Sequence, residues 1–189
     1  MKRFVELGDS GSQVYYCQDF FGSKTANLIL ELIKKMPISE AQEGQSEFDT
    51  VIFNHRGILY KNIDLLSLYC DTNKKIFENI YNVNLKDIKN DWKNLSIKIQ
   101  KVGQEHGPHS DAGPETLGYN PAGEIDPYLS TVTCLTDDYD GGYFEMPEFN
   151  ISVKLKMGST IVYPSSGHDH QVTKVTNGER RTLLGFWYI

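Results

Sequence analysis

Apolar residues recur at helical spacing in the first half of the chain and alternate with polar ones in the second. Leu28, Ile29, Leu32 and Ile33 form a stripe within Ser23 to Lys35, predicting an amphipathic helix with Ser23 as N-cap and Pro37 as its stop. Leu65, Leu66, Tyr69, Ile76, Phe77 and Ile80 predict a second helix from about Asp64 to Tyr81, with a break near Asp71 and Thr72. From Leu95 the period shortens to two. Strands are expected over Leu95 to Val102, Tyr128 to Leu135, Ile151 to Leu155, Ser159 to Tyr163 and Arg181 to Tyr188. Gly141, Gly142, Pro147, Gly158, Pro164, Gly167 and Gly178 punctuate them. Helices followed by many short strands point to an α+β fold with a β sandwich or barrel. The expected organisation is one domain over 1–189, with a helical support region at 1–94 and a β core at 95–189. Ala112 to Pro127, rich in Gly and Pro, is the longest loop candidate and is expected to help capture a substrate.

Composition narrows the classes. No stretch approaches the ~18 apolar residues of a membrane span, so no membrane partner is expected. The opening MKRFVELGDSGSQ turns polar too soon for a secretory leader, which makes a cytoplasmic location the default expectation. A net charge of −6 argues against a nucleic-acid groove, whose affinity comes from clustered Lys and Arg. Cys17, Cys70 and Cys134 are widely spaced and form no CxxC, so they read as buried thiols.

The histidines carry the first chemical signal. Four of the five lie in two clusters, His106 and His109 in EHGPHSD, then His168 and His170 in GHDHQV. In an extended segment residues two apart share a side, so His109 and Asp111 can offer an imidazole nitrogen and a carboxylate oxygen to one cation. The same period leaves both His168 and His170 open as the third donor. Two histidines and a carboxylate on one side of a metal suit non-haem Fe(II), because the opposite positions stay available for co-substrates.

KVGQEHGPHSD, DDYDGGYFEMP and GSTIVYPSSGHDHQVTKVTNGERRTL occur in that order between about Leu95 and Tyr188. With these segments the chain resembles the prolyl 4-hydroxylase-like branch of the Fe(II)- and 2-oxoglutarate-dependent dioxygenases. The resemblance implies a distorted double-stranded β-helix with N-terminal helices on one outer face. It also implies an iron site of His109, Asp111 and His170, because His170 fits the family's H-x-V-x-x-V and His168 does not. Fe(II), 2-oxoglutarate and O₂ are the implied cofactor set, with ascorbate supportive.

A buried dianion needs a bidentate cation. Arg180 stands ten residues after His170, where the family carries a basic residue, and Thr182 falls on the same strand face, whereas Arg181 must leave on the other. Gln100 and His106 occupy positions where such prolyl hydroxylases commonly carry tyrosines. Gln100 can still hydrogen-bond a co-substrate carboxylate, and His106 is a candidate substrate contact. Hydroxylation of an unactivated C–H follows from the resemblance, and Asp111 argues against halogenation, which needs a small residue at its position. A prolyl residue in a peptide or protein, another protein residue and a free amino acid are all open as substrates, with a monomer or homodimer expected. Competing readings are a nucleic-acid demethylase and a cupin-like module that binds a metal or small anion.

Overall fold

The structure is a computed structural model and describes residues 3–34, 41–42, 51–53, 63–86, 95–112 and 126–189. Strands β1 (Val5–Glu6) and β2 (Tyr15–Cys17) precede helix α1 (Ser23–Lys34), and β3 (Ala41–Gln42) and β4 (Val51–Phe53) precede helix α2 (Ile63–Tyr81). After Leu95 follow β5 (Leu95–Lys101), β6 (His106–His109), β7 (Leu129–Cys134), β8 (Asp140–Gly141), β9 (Phe144–Met146), β10 (Ile151–Val153), β11 (Thr160–Pro164), β12 (His170–Val172), β13 (Val175–Asn177) and β14 (Glu179–Trp187).

These strands form antiparallel sheets: a large one ordered β1-β2-β11-β7-β14-β5-β4-β3, a smaller one ordered β10-β9-β12-β6, and the pair β13-β8. Two apolar clusters separate the layers. Ile97, Ile99, Leu183 and Trp187 of the large sheet meet Phe20, Leu30 and Phe77 from the helical side. Val132, Ile161 and Tyr163 point the other way, towards Phe144, Met146 and Ile151 of the small sheet. Strand β7, buried along its whole length, lies in the middle as a strand covered on both faces should. This is the double-stranded β-helix arrangement, with the helices stacked outside the large sheet.

Several expectations are corrected. The region before Leu95 is not purely a helical support, since β1 to β4 add to the large sheet. Such strands of two or three residues are too short to display a period. Helix α2 runs unbroken through Asp71 and Thr72. Cys70, Asn73 and Phe77 bury one face at helical spacing while Asp71 faces solvent, and a few tenths of a kcal/mol of unfavourable propensity do not break a packed helix. The helix stops where Asn82 adopts a left-handed φ of 51°. Gly22 rather than Ser23 takes the N-cap position of α1, its carbonyl accepting the amide of Ala26. Pro37 and most of the Ala112 to Pro127 loop lie outside the described residues. The last strand begins at Glu179, so Arg180 and Arg181 sit within it. All three cysteines are buried thiols, and no described helix is long and apolar enough to cross a membrane.

Phe77 is fully buried and meets Trp187 edge-on, with ring centroids 5.2 Å apart. Phe77→Ala is expected to cost about 3–5 kcal/mol, read as a lower urea midpoint at constant m. A loss below ~1 kcal/mol would show that α2 does not carry the sheet's outer face.

Candidate metal centre and anion pocket

The inward face of the large sheet departs from apolar alternation where it matters. In β5, Ile97 and Ile99 join the helix-side core while Lys98 and Gln100 turn inward, and in β14 Arg180 and Thr182 do the same. These polar residues are all at most 3% exposed. Lys98 and Arg180 line a small cavity, about 40 Å³ of water-accessible space, together with His106, His109, Asp111, Tyr163 and His170.

At one end of this space His109, Asp111 and His170 bring one donor atom each within 4.8 Å of one another. His109 ends β6 and His170 begins β12, and the two are direct cross-strand partners. Asp111 lies in the bend just after β6, so the shared side comes from that turn rather than from a continuous strand. The turn is tied down by bonds from Ala112 N (2.9 Å) and Ser110 Oγ (3.0 Å) to the carbonyl of Ser165. His109 Nδ1 donates to Gly107 O at 2.8 Å, which fixes its tautomer and leaves Nε2 with a lone pair, 3.6 Å from Asp111 Oδ1. His170 Nε2 is 3.7 Å from Asp111 Oδ2. His168 turns elsewhere. Its Nδ1 meets Glu148 at 2.8 Å and its ring packs on Phe149, outside the cluster.

His106 shares the pocket although it lies three positions before His109, an odd step along a strand. The register with β12 shifts between His170 and Val172, so β6 spends one extra residue there, and such a bulge re-aims side chains. The rings of His106 and His109 consequently meet at a 45° tilt with centroids 3.8 Å apart. Lys98 Nζ donates to His106 Nδ1 at 2.5 Å. The proton of the neutral ring therefore sits on Nε2, and His106 offers a donor much as a tyrosine hydroxyl does.

At the other end the Arg180 guanidinium is 1% exposed, and Nη1 donates to Gln100 Oε1 at 2.6 Å. That bond turns the Gln100 amide so that Nε2 is a further donor. Among the described residues, Arg180 Nε and Nη2, Gln100 Nε2 and Thr182 Oγ1 are buried without a hydrogen-bond partner. Leaving such donors unmatched is costly, and a carboxylate satisfies several at once. Gly142, at φ 61°, makes room, since a Cβ there would come within 2.8 Å of Arg180 Cδ. Arg181 lies on the opposite face and pairs with Glu179.

Sequence reasoning missed Tyr163, Lys98, Ser130 and Gly142. Tyr163 has the clearest signal: alternation from Ile161 in a strand followed by Pro164 puts it on the inner face. Its hydroxyl stands 3.0 Å from Asp111 Oδ2 and 3.1 Å from His170 Nε2.

A family described as the 2OG-Fe(II) oxygenase superfamily matches residues 95–189. The chain belongs to this superfamily. Its cofactor set is Fe(II), 2-oxoglutarate and O₂. A PKHD-type hydroxylase of Hyphomonas neptunium is 35% identical over 99 residues, covering 48% of this chain and 40% of that protein. The chain thus spans well under half the length of the curated relatives it matches. The viral collagen prolyl hydroxylase of Paramecium bursaria Chlorella virus-1, solved as a 2OG complex, superposes with a TM-score of 0.65 at 16% identity, over 95% of this chain and 97% of that one. A prolyl-4-hydroxylase of Pseudomonas putida gives a TM-score of 0.70 at 14% identity, over 95% and 94%. At those identities the likeness is one of fold.

Within the site the four titrating groups of the cluster are pushed apart. Burial tends to raise the Asp111 carboxyl, but its hydrogen bond to His109 and the nearby His170 outweigh this and hold it at about 2. Burial lowers His170 to about 4 and, with the charge of Lys98, lowers His106 to about 3. His109 feels burial too, yet its bonds to Asp111 and Gly107 raise it. Depressed imidazoles mean that, below about 6.5, the unfolded chain binds protons the folded one refuses, so stability falls with pH. That loss spans from about 6.5 down to about 4 for His170 and about 3 for His106, opposed in part by His109. Asp111 adds a further loss as pH falls through about 2. Metal-free protein is expected to melt progressively lower from pH 7 to pH 4.5 in chelator, and His106→Asn to flatten the slope. A melting temperature constant over that range would contradict the buried-neutral assignment.

Proposed function

We propose that this chain is an Fe(II)- and 2-oxoglutarate-dependent hydroxylase in which His109, Asp111 and His170 hold the iron and Arg180, Thr182 and Gln100 bind the distal carboxylate of 2-oxoglutarate. The observation that carries the reading is the presence, in one pocket, of a His-Asp-His cluster and of a buried guanidinium with unmatched donors. Neither half alone is specific. A metal-sequestering module has no use for Arg180, and an anion-binding module has none for the cluster.

With iron bound, the chemistry supplied is reductive activation of O₂ coupled to conversion of 2-oxoglutarate to succinate and CO₂, one oxygen entering succinate and the other a substrate C–H bond. The chain's own residues supply the surroundings. Arg180 and its neighbours orient the co-substrate along the pocket towards the cluster. Phe144, stacked on His170 at 5.6 Å, and Val132 keep the pocket wall apolar and limit water. His106 Nε2 donates a hydrogen bond to a substrate acceptor without carrying a charge at neutral pH.

The substrate class supported best is a peptidyl residue, proline foremost, because the fold is shared with prolyl hydroxylases. A second reading is a free amino acid or other small acid. It is favoured by Lys98, whose buried ammonium lines the pocket where a carboxylate can approach. Incubation with Fe(II), 2-oxoglutarate and ascorbate should yield succinate, and mass spectrometry of peptide and metabolite pools should reveal additions of one oxygen. Methylated-base turnover, or the absence of any succinate, would reject the proposal.

Truncating one partner of a buried charge pair costs about 2–5 kcal/mol, roughly 30- to 5,000-fold in affinity. Arg180→Ala is expected to raise the Kd for 2-oxoglutarate by that amount. Arg181, part-exposed and paired with Glu179, should matter less than about threefold on substitution by Ala, as for a surface ion pair. Titration of 2-oxoglutarate into both variants decides the matter, and a larger defect in Arg181→Ala would overturn the assignment of the anion site.

A further inference from the structure

Tyr163 is 2% exposed, and its hydroxyl lies within hydrogen-bond distance of two of the three cluster residues. Its ring packs against two neighbouring rings, Phe144 at a centroid distance of 5.2 Å and His170 at 4.7 Å. The hydroxyl therefore has little freedom to turn away.

We propose that Tyr163 makes Asp111 a one-oxygen metal ligand, as a positioning residue whose hydroxyl donates to Oδ2 and leaves Oδ1 as the donor. This rests on the reading of His109, Asp111 and His170 as the metal site. A phenol has one proton to give, and two acceptors are in reach, Asp111 Oδ2 and His170 Nε2. A metal engages the lone pair of Nε2, which then accepts nothing, so the proton goes to Oδ2. Oδ1 is the oxygen on the His109 side, 3.6 Å from Nε2 of that ring.

The consequence lies in the coordination count. A carboxylate free to use both oxygens occupies two positions, and two co-substrates need the positions opposite the protein ligands. An oxygen engaged by a hydroxyl is a poorer metal donor and is held at a fixed angle. Ser130 supports the arrangement, its hydroxyl 2.8 Å from Ser165 Oγ and also interacting with Asp111 and Tyr163. Ser165 in turn ties down the turn that carries Asp111. The backbone of Asp111 is thus anchored by Ser165, whereas its carboxylate is oriented by Tyr163.

Tyr163→Phe removes the hydroxyl and keeps the ring packing. The probe is Co(II) alone, without 2-oxoglutarate, titrated into chelator-stripped protein and followed by its visible absorption. The variant is expected to bind Co(II) about 10- to 100-fold more weakly, the usual effect of losing a partner of a metal ligand, and with a shifted band. In an Asp111→Ala background the same substitution should change nothing, since Tyr163 acts through that carboxylate. A purely structural role predicts the reverse pattern, with weaker folding in both backgrounds and an unchanged cobalt spectrum. Wild-type binding matched within about twofold by Tyr163→Phe, with the same spectrum, overturns this inference and leaves the metal site standing. Failure of the wild type to bind Co(II) overturns both.

Discussion

A guanidinium buried to 1% exposure between two β-sheets is the constraint around which the pocket is arranged. Arg cannot shed its charge as a buried Lys or Glu can, so the surroundings must supply acceptors or leave a place for an anion. Gln100 supplies one acceptor, from the neighbouring strand and in direct register with Arg180. The chain gives up a side chain at position 142 so that the arginine stem can lie flat. The Gln100 amide nitrogen adds a further donor and the Thr182 hydroxyl can donate as well, an arrangement that suits a receptor for a carboxylate.

The histidines show the same logic with the opposite sign. Three imidazoles in contact cannot all be charged, and burial with the neighbouring lysine keeps His106 and His170 neutral. Neutral imidazole is the form that ligates a metal. Asp111, held ionised by the same neighbours, completes a donor set ready at neutral pH without prior proton loss from the carboxyl or from His170.

Much of this was legible in the sequence because it lies in local spacing. The two-residue step from His109 to Asp111 and the ten-residue step from His170 to Arg180 are short-range facts, and strand alternation separates Arg180 from Arg181. The role of His106 was harder to read. Simple alternation sends it to the face opposite His109, and only the bulge in β6 returns it. Alternation from Ile161 puts Tyr163 on the inner face, but its partner Asp111, like the Ser165 partner of Ser130, is remote in sequence, so no local pattern announces either contact. Helix α2 was underestimated because Asp71 and Thr72 are weak helix formers, and the burial of Phe77 against Trp187 that overrides them is a long-range contact.

Among the described residues, β6 stands at the border of its sheet, with β12 as its one neighbour. His109 and His170 face each other across that last pairing, so a metal held by both, as proposed, would also be a cross-strand rivet. A slip of one residue would turn one of the two imidazoles to the wrong side, which means that loading selects the native register as well as the chemistry. Without that link, the border among the described residues rests on a few backbone bonds along a kinked, proline-containing strand. Metal loading would thereby order the rim of the small sheet as well as serve the proposed chemistry.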